Sequence, residues 1–284
     1  MYVKAAVLAC LGVLGVLCSP ASGSGESIGS EVDRDFYPYY PSLVKWVKSG
    51  AGFQPPETCA ECHPTQYEEW QGSMHALAFQ DPVYQGELNK AVKAVGHDIA
   101  RQCEGCHSPV GVVTGQVKGA GLKGLDAVAL AGVSCDVCHS ISGHTHWQTP
   151  YHQPENASMI LSPGKDSPSG PVLTKYGAFP PAGGCGGGYH ECIESPLHLT
   201  TELCASCHQV HHYKTHSPLE ATYLEWKNGP YAVKGIVCQD CHMVEYETFV
   251  RSADTFQKPA RGEYHHYFNG ANFLLFQLLS GSNW

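Results

Sequence analysis

The chain has 284 residues, a formal charge of −9 and only 15% charged residues, with no Lys/Arg run. This balance excludes a nucleic-acid binder, which needs basic patches to neutralise phosphates. Cysteine (14) and histidine (17) stand far above ordinary usage, so the chemistry is to be sought in those two residue types.

The first segment, MYVKAAVLACLGVLGVLCSPASGSGES, carries Lys4, an apolar run from Ala5 to Leu17, and small residues from Ala21 to Gly23. That run is too short to span a bilayer as a helix. It reads as a secretory signal peptide over residues 1–23, leaving 24–284 as one exported unit, periplasmic or extracellular. A lipoprotein reading at Cys18 is disfavoured by Leu17, which is not the small residue such a site usually has. FLLFQLL (273–279) is also too short to span, so the mature chain is expected to have no transmembrane segment.

Five copies of one pattern follow: CAECH (59–63), CEGCH (103–107), CDVCH (135–139), CASCH (204–208) and CQDCH (238–242), numbered sites 1 to 5 below. C-x-x-C-H is the attachment signature of a c-type haem. Two thiols one helical turn apart match the porphyrin's two vinyl groups, and the next imidazole then points at the iron. The predicted covalent attachment points are Cys59 and Cys62, Cys103 and Cys106, Cys135 and Cys138, Cys204 and Cys207, and Cys238 and Cys241. The predicted proximal iron ligands are His63, His107, His139, His208 and His242. A thioredoxin-like site uses one C-x-x-C, and neither a zinc ribbon nor a disulfide framework calls for a histidine after every second cysteine. Cys185 and Cys192, in GGCGGGYHEC, lie outside the pattern and are candidates for a local disulfide.

Five haem c groups would supply most of the core, leaving short helices and loops to wrap them. The expected fold is mainly α with extensive coil, a haem-packed core and little β. Helix is expected over 64–79, over 83–95 where Gly96 stops it, and over 218–228, whereas 162–188 reads as one long irregular connection. Pro64 suits the first position of its helix. On one continuous helix His63 and His75 lie about 18 Å apart along the axis, so His75, if a ligand, serves a different haem from site 1. A core histidine satisfied by a carbonyl is the competing account.

Other histidines are candidates for the second axial positions. His97 and His198 share the spacing H-x5-C-x-x-C-H, while His144, His146 and His152 follow site 3, and His265 and His266 lie near the end. The distal candidates carried forward are His75, His97, His146, His198 and His266. Methionine is scarce, so bis-histidine ligation and low potentials are expected. An internal echo pairs EWQGSMHA (69–76) with EWKNGPYA (225–232), with Tyr231 in the place of His75.

CAECHPTQYEEWQGSMHALAF resembles the first haem segment of the tetrahaem cytochrome c-554 family and related multihaem cytochromes, and GVSCDVCH resembles that family's third site. TYLEWKNGPYAVKGIVCQDCHM and HHYFNGAN resemble segments of larger multihaem relatives. The resemblance implies an exported electron carrier with haems in stacked and perpendicular pairs. It carries His75 over as distal ligand of another haem and favours His198 and His266. The fifth site departs from the tetrahaem pattern. Three functions stay open: electron transfer through a closely packed haem chain, a subunit of an extracellular conducting filament, or a redox enzyme with one open iron acting on a small nitrogen or sulfur species. Electron transfer without catalysis leads, with other redox proteins or extracellular acceptors as partners.

Overall fold

The computed structural model describes residues 43–145, 151–178, 185, 188–245, 247–249 and 264–270. The expected signal segment, His146 and FLLFQLL lie outside the described residues. Helices are short and loops abundant, with three small sheets besides.

The helix expected over 64–79 is two pieces, α2 (Pro64–Gln71) and α3 (Met74–Leu77), following α1 (Pro56–Ala60). Gly72 closes the first piece, and the buried, extended Ser73 opens the second by accepting a hydrogen bond from Ala76 N at 3.4 Å. A serine offers the backbone this alternative to a continuing helix, which is why it favours N-caps over interiors. The straight 18 Å axis therefore does not exist, and α3 is free to aim His75 independently of site 1.

The long helix α4 (Pro82–Val95) ends where Gly96 takes a φ of +81°, a conformation that costs glycine nothing. Asp81 caps its start, its carboxylate accepting from Val83 N at 2.6 Å and Tyr84 N at 2.9 Å. α5 (His97–His107) follows directly and contains site 2, then come α6 (Pro109–Val113), α7 (Ala127–Leu130) and α8 (Cys135–His139), the last being site 3 itself.

The stretch expected to be irregular contains strands. β4 (Gly164–Ser167) and β5 (Gly170–Gly177) form an antiparallel hairpin, and β6 (Glu191–Glu194) joins β5 in parallel. Gly170, at φ +114°, allows the tight turn, and VLTKY carries the β-branched and aromatic residues that suit a pleated surface. A second sheet runs β1–β3–β2, from β1 (Lys45–Trp46), β3 (Met159–Leu161) and β2 (Ile141–His144). A third pairs β7 (Val210–His211) with β8 (Pro218–Glu220), so the helix expected over 218–228 shortens to α10 (Thr222–Lys227). α9 (Thr201–Ala205), α11 (Pro230–Val233) and α12 (Cys238–His242) complete the described elements.

Apolar burial is divided. One cluster joins Val44, Val110, Val137, Ile141, Met159 and Leu161; others centre on Phe79, Leu88, Ala100 and Val117, and on Trp70, Ala76 and Ala131. Each is small, in keeping with the expectation that prosthetic groups fill much of the core. Replacing Asp81 by Ala, which removes the cap of α4, is expected to lower stability by about 1 kcal/mol, read as a fall in the thermal midpoint with the haem spectrum unchanged.

Candidate haem sites

Each C-x-x-C-H lies on or runs off a short helical turn: Cys59 in α1, site 2 at the end of α5, site 3 in α8, Cys204 in α9 and site 5 in α12. On a helix, residues i and i+3 share a face while i+1 and i+2 point away. The thiols thus present one edge, and the two residues between them are left to bind the turn to the rest of the chain.

In sites 2, 3 and 5 an acid does this. Glu104, fully buried, accepts from Gly119 N at 2.7 Å and faces His97 Nε2 at 3.0 Å. Asp136, buried at site 3, accepts from Gln54 N at 2.6 Å and is ion-paired with Lys175 of β5. Asp240 accepts from Val237 N at 3.0 Å and from the Tyr264 hydroxyl at 3.1 Å. At site 4, Ser206 Oγ lies 3.1 Å from His144 Nδ1. Site 1 differs: Glu61, Cys62 and His63 are exposed.

Three proximal histidines donate a ring proton to a backbone carbonyl from a distant segment. His107 Nδ1 reaches Ala78 O at 2.7 Å, His139 Nδ1 reaches Tyr176 O at 2.7 Å, and His242 Nδ1 reaches Asn269 O at 2.6 Å. A carbonyl only accepts, so Nδ1 carries the proton and Nε2 keeps its lone pair in the neutral ring. Burial lowers the pKa of His107 and His139, favouring that neutral form.

The rings that could oppose them fall into pairs. His75 lies 6.2 Å from His208, centre to centre, and packs edge-on against Phe268. Burial, with His208 adding to it, pushes the pKa of His75 down to about 4, and its Nδ1 is buried with no hydrogen-bond partner. His266 lies 6.2 Å from His139, and burial pushes its pKa down to about 3. Buried Glu69 holds that segment, accepting from His265 Nδ1 at 2.6 Å and His266 N at 2.7 Å. His198 also approaches His139, at 5.9 Å, but donates Nε2–H to Cys138 O at 3.0 Å, which leaves Nδ1 as its free nitrogen. His97 is placed against Glu104 behind site 2. His190, absent from the sequence-based candidates, lies 6.5 Å from His63. Its only sequence signal is that it sits between Cys185 and Cys192, which form a disulfide.

Two imidazoles binding one metal from opposite sides have ring centres roughly 6 Å apart, since each bond is about 2 Å and each centre lies about 1 Å behind its nitrogen. The His75–His208, His139–His266 and His63–His190 separations meet that condition, and the buried unpartnered nitrogen of His75 is the kind of atom a metal satisfies. The residues fit haem.

The family described as "Cytochrome c554 and c-prime" matches residues 58–140. No curated protein matches the chain in sequence. Among solved structures, the penta-heme cytochrome c552 from Thermochromatium tepidum matches with a TM-score of 0.51 and 21% identity, over 75% of this chain and 56% of that one. The fold is that of a multihaem c-type cytochrome. The chain spans little more than half of that relative's length.

In this fold the sites approach one another at their cysteines. The motif cysteines of neighbouring sites lie side by side, Cys59 with Cys135, Cys106 with Cys207, and Cys204 with Cys238, which brings together sites 1 and 3, 2 and 4, and 4 and 5. The short turn α3 serves two sites, since His75 faces His208 while Ala78 O holds His107. Gly132, at φ +62°, lets site 3's approach pass close by: a Cβ there would lie 2.8 Å from His75 O, which accepts Val133 N.

The sequence echo is also structural. Trp70 Nε1 donates to Val133 O at 2.9 Å, two residues before site 3, and Trp226 Nε1 donates to Ile236 O at 2.7 Å, two residues before site 5. The same tryptophan thus fixes the entry to the next haem turn in both halves. Tyr231, in the place of His75, is 43% exposed.

Asp136→Ala would leave Lys175 charged and largely buried without its partner. We expect a loss of about 3–5 kcal/mol, against about 0–1 kcal/mol for breaking the exposed Lys90–Glu87 pair, both measured by denaturant unfolding.

Proposed function

We propose that the mature chain, from about residue 24, is an exported electron-transfer protein carrying five covalently attached haems. The observation that carries this reading is that His107, His139 and His242 commit Nδ1–H to a backbone carbonyl, which leaves the Nε2 lone pair of each available to an iron. The ten motif cysteines hold the groups by thioether bonds, and His63, His107, His139, His208 and His242 are the proximal ligands. His75 is the second ligand at site 4, and His266 at site 3, with His198 beside it. Each haem, when bound, supplies an iron that cycles between the ferric and ferrous states.

The protein's part is orientation and exclusion of water. Carbonyls fix the ring tautomers of His107, His139 and His242, and burial favours the neutral form of His75, His107, His139, His208 and His266. The neighbouring cysteines order the sites as 1–3 and 2–4–5, and Cys138 of site 3 lies near Cys204 and Cys207 of site 4. Electrons entering at exposed site 1 would pass through site 3 to site 4, where the route divides toward sites 2 and 5. An acidic chain suits a redox partner with a basic docking patch, in the periplasm or outside the cell.

EPR of the oxidised protein, with an intact mass, tests this. We expect the mass of five haems and a predominantly low-spin spectrum. His75→Ala should keep every haem and convert one iron to high spin. A mass short of five haems sinks the five-site reading, and an unchanged His75→Ala spectrum removes that residue from the ligand set.

A further inference from the structure

The disulfide loop at 185–192 belongs to no site so far described, yet it holds a histidine against site 1. Cys185, Cys192 and His190 bring their ligand atoms within 4.8 Å of one another, a grouping that could hold a metal were both sulfurs not already bonded to each other. The histidine is therefore the group left with coordinating capacity. Its Nδ1 faces the loop, 3.3 Å from Glu191 O and 3.5 Å from Cys185 Sγ. The carbonyl accepts the Nδ1 proton, so Nε2 keeps the lone pair on the other side of the ring. Across from it is His63, with ring centres 6.5 Å apart. Among the described histidines other than His190, the rings of His75 and His266 already face those of His208 and His139.

The described residues at either side of the loop hold His190 in place. The loop's position comes from its ends. Cys192 pairs with Lys175 in the β5–β6 ladder, and Lys175 is the partner of Asp136 at site 3. Tyr189 donates to Gln54 Oε1 at 3.4 Å, and Gln54 N donates to Asp136. The disulfide ties Cys185, which no strand holds, to Cys192, which one does.

We infer that His190 is the second axial ligand of the site 1 iron, and that the Cys185–Cys192 disulfide is the positioning device that keeps it there. The inference rests on site 1 carrying haem. Reduction by a phosphine or a dithiol breaks the S–S bond; two electrons and two protons convert the sulfurs to thiols, and the reductant leaves as its oxide or its own disulfide. The loop is then held at one end only, and His190 no longer stays opposite His63.

The test uses the unaltered, haem-loaded protein. It is treated with tris(carboxyethyl)phosphine, its two new thiols are capped with iodoacetamide, and its irons are reoxidised with ferricyanide before EPR. The expected result is one additional high-spin iron per chain, with the mass of two added carboxamidomethyl groups. His190→Gly should show the same high-spin iron without any reductant, and added imidazole should return it to low spin. Two capped thiols with an unchanged spectrum overturn the role of the disulfide. A low-spin His190→Gly overturns the ligand assignment. A peptide map lacking haem on Cys59 and Cys62 instead defeats the haem reading of site 1, which separates the two failures. If His190→Gly does not accumulate, the chemical treatment of the native chain still decides.

Discussion

An imidazole can offer a metal only one lone pair at a time, and which nitrogen offers it depends on where the other places its proton. In this protein that choice is made by backbone carbonyls far away in the chain. Ala78 O sets it for His107, Tyr176 O for His139 and Asn269 O for His242, across 29, 37 and 27 residues of sequence. Each bond requires a separate piece of polypeptide to arrive at the back of a haem turn. Much of the irregular architecture, including the β5 hairpin and the segment at 264–270, can be understood as the delivery of those carbonyls.

The second constraint is the division of faces within each short turn. Cysteines three apart look one way, so the residues between them must look inward, and they are buried acids at sites 2, 3 and 5. A buried carboxylate is costly unless it is paired or accepts several hydrogen bonds. Glu104, Asp136 and Asp240 meet this condition through backbone amides together with His97, Lys175 and Tyr264 respectively. These bonds give each turn an orientation that apolar packing alone, which is non-directional, does not supply.

The repeated Trp–Gly segment shows how one local device can be used for two ends. Both tryptophans lie on short helices, α2 and α10, and hydrogen-bond the chain two residues ahead of a haem turn. Beyond the tryptophan the copies diverge. His75 is half-buried beside His208 with its Nδ1 covered, while Tyr231 is 43% exposed on α11. The first copy therefore reaches across to another site, and the second ends at the surface.

The candidate attachment points could be read from the sequence because C-x-x-C-H is a local motif: five residues carry both the spacing of the thiols and the adjacent imidazole. The mainly helical character with much coil was legible for a similar reason, from scattered proline and glycine and the absence of any long periodic run. The partners of the remaining histidines were not. His97 and His198 stand at the same spacing before their motifs, yet one faces a glutamate and the other a carbonyl beside His139. His190 gave no periodic signal, and its position depends on a strand ladder and a disulfide that close only when β5 and β6 meet. His75 could be excluded from site 1 on helical geometry, but Ser73 broke that helix, and the ring opposite His75 comes from 133 residues further along the chain. Local motifs determined which group these sites are suited to bind. Which imidazole faces which was decided by long-range hydrogen bonds and strand pairing, because an axial pair joins residues that only the folded chain brings to the same place.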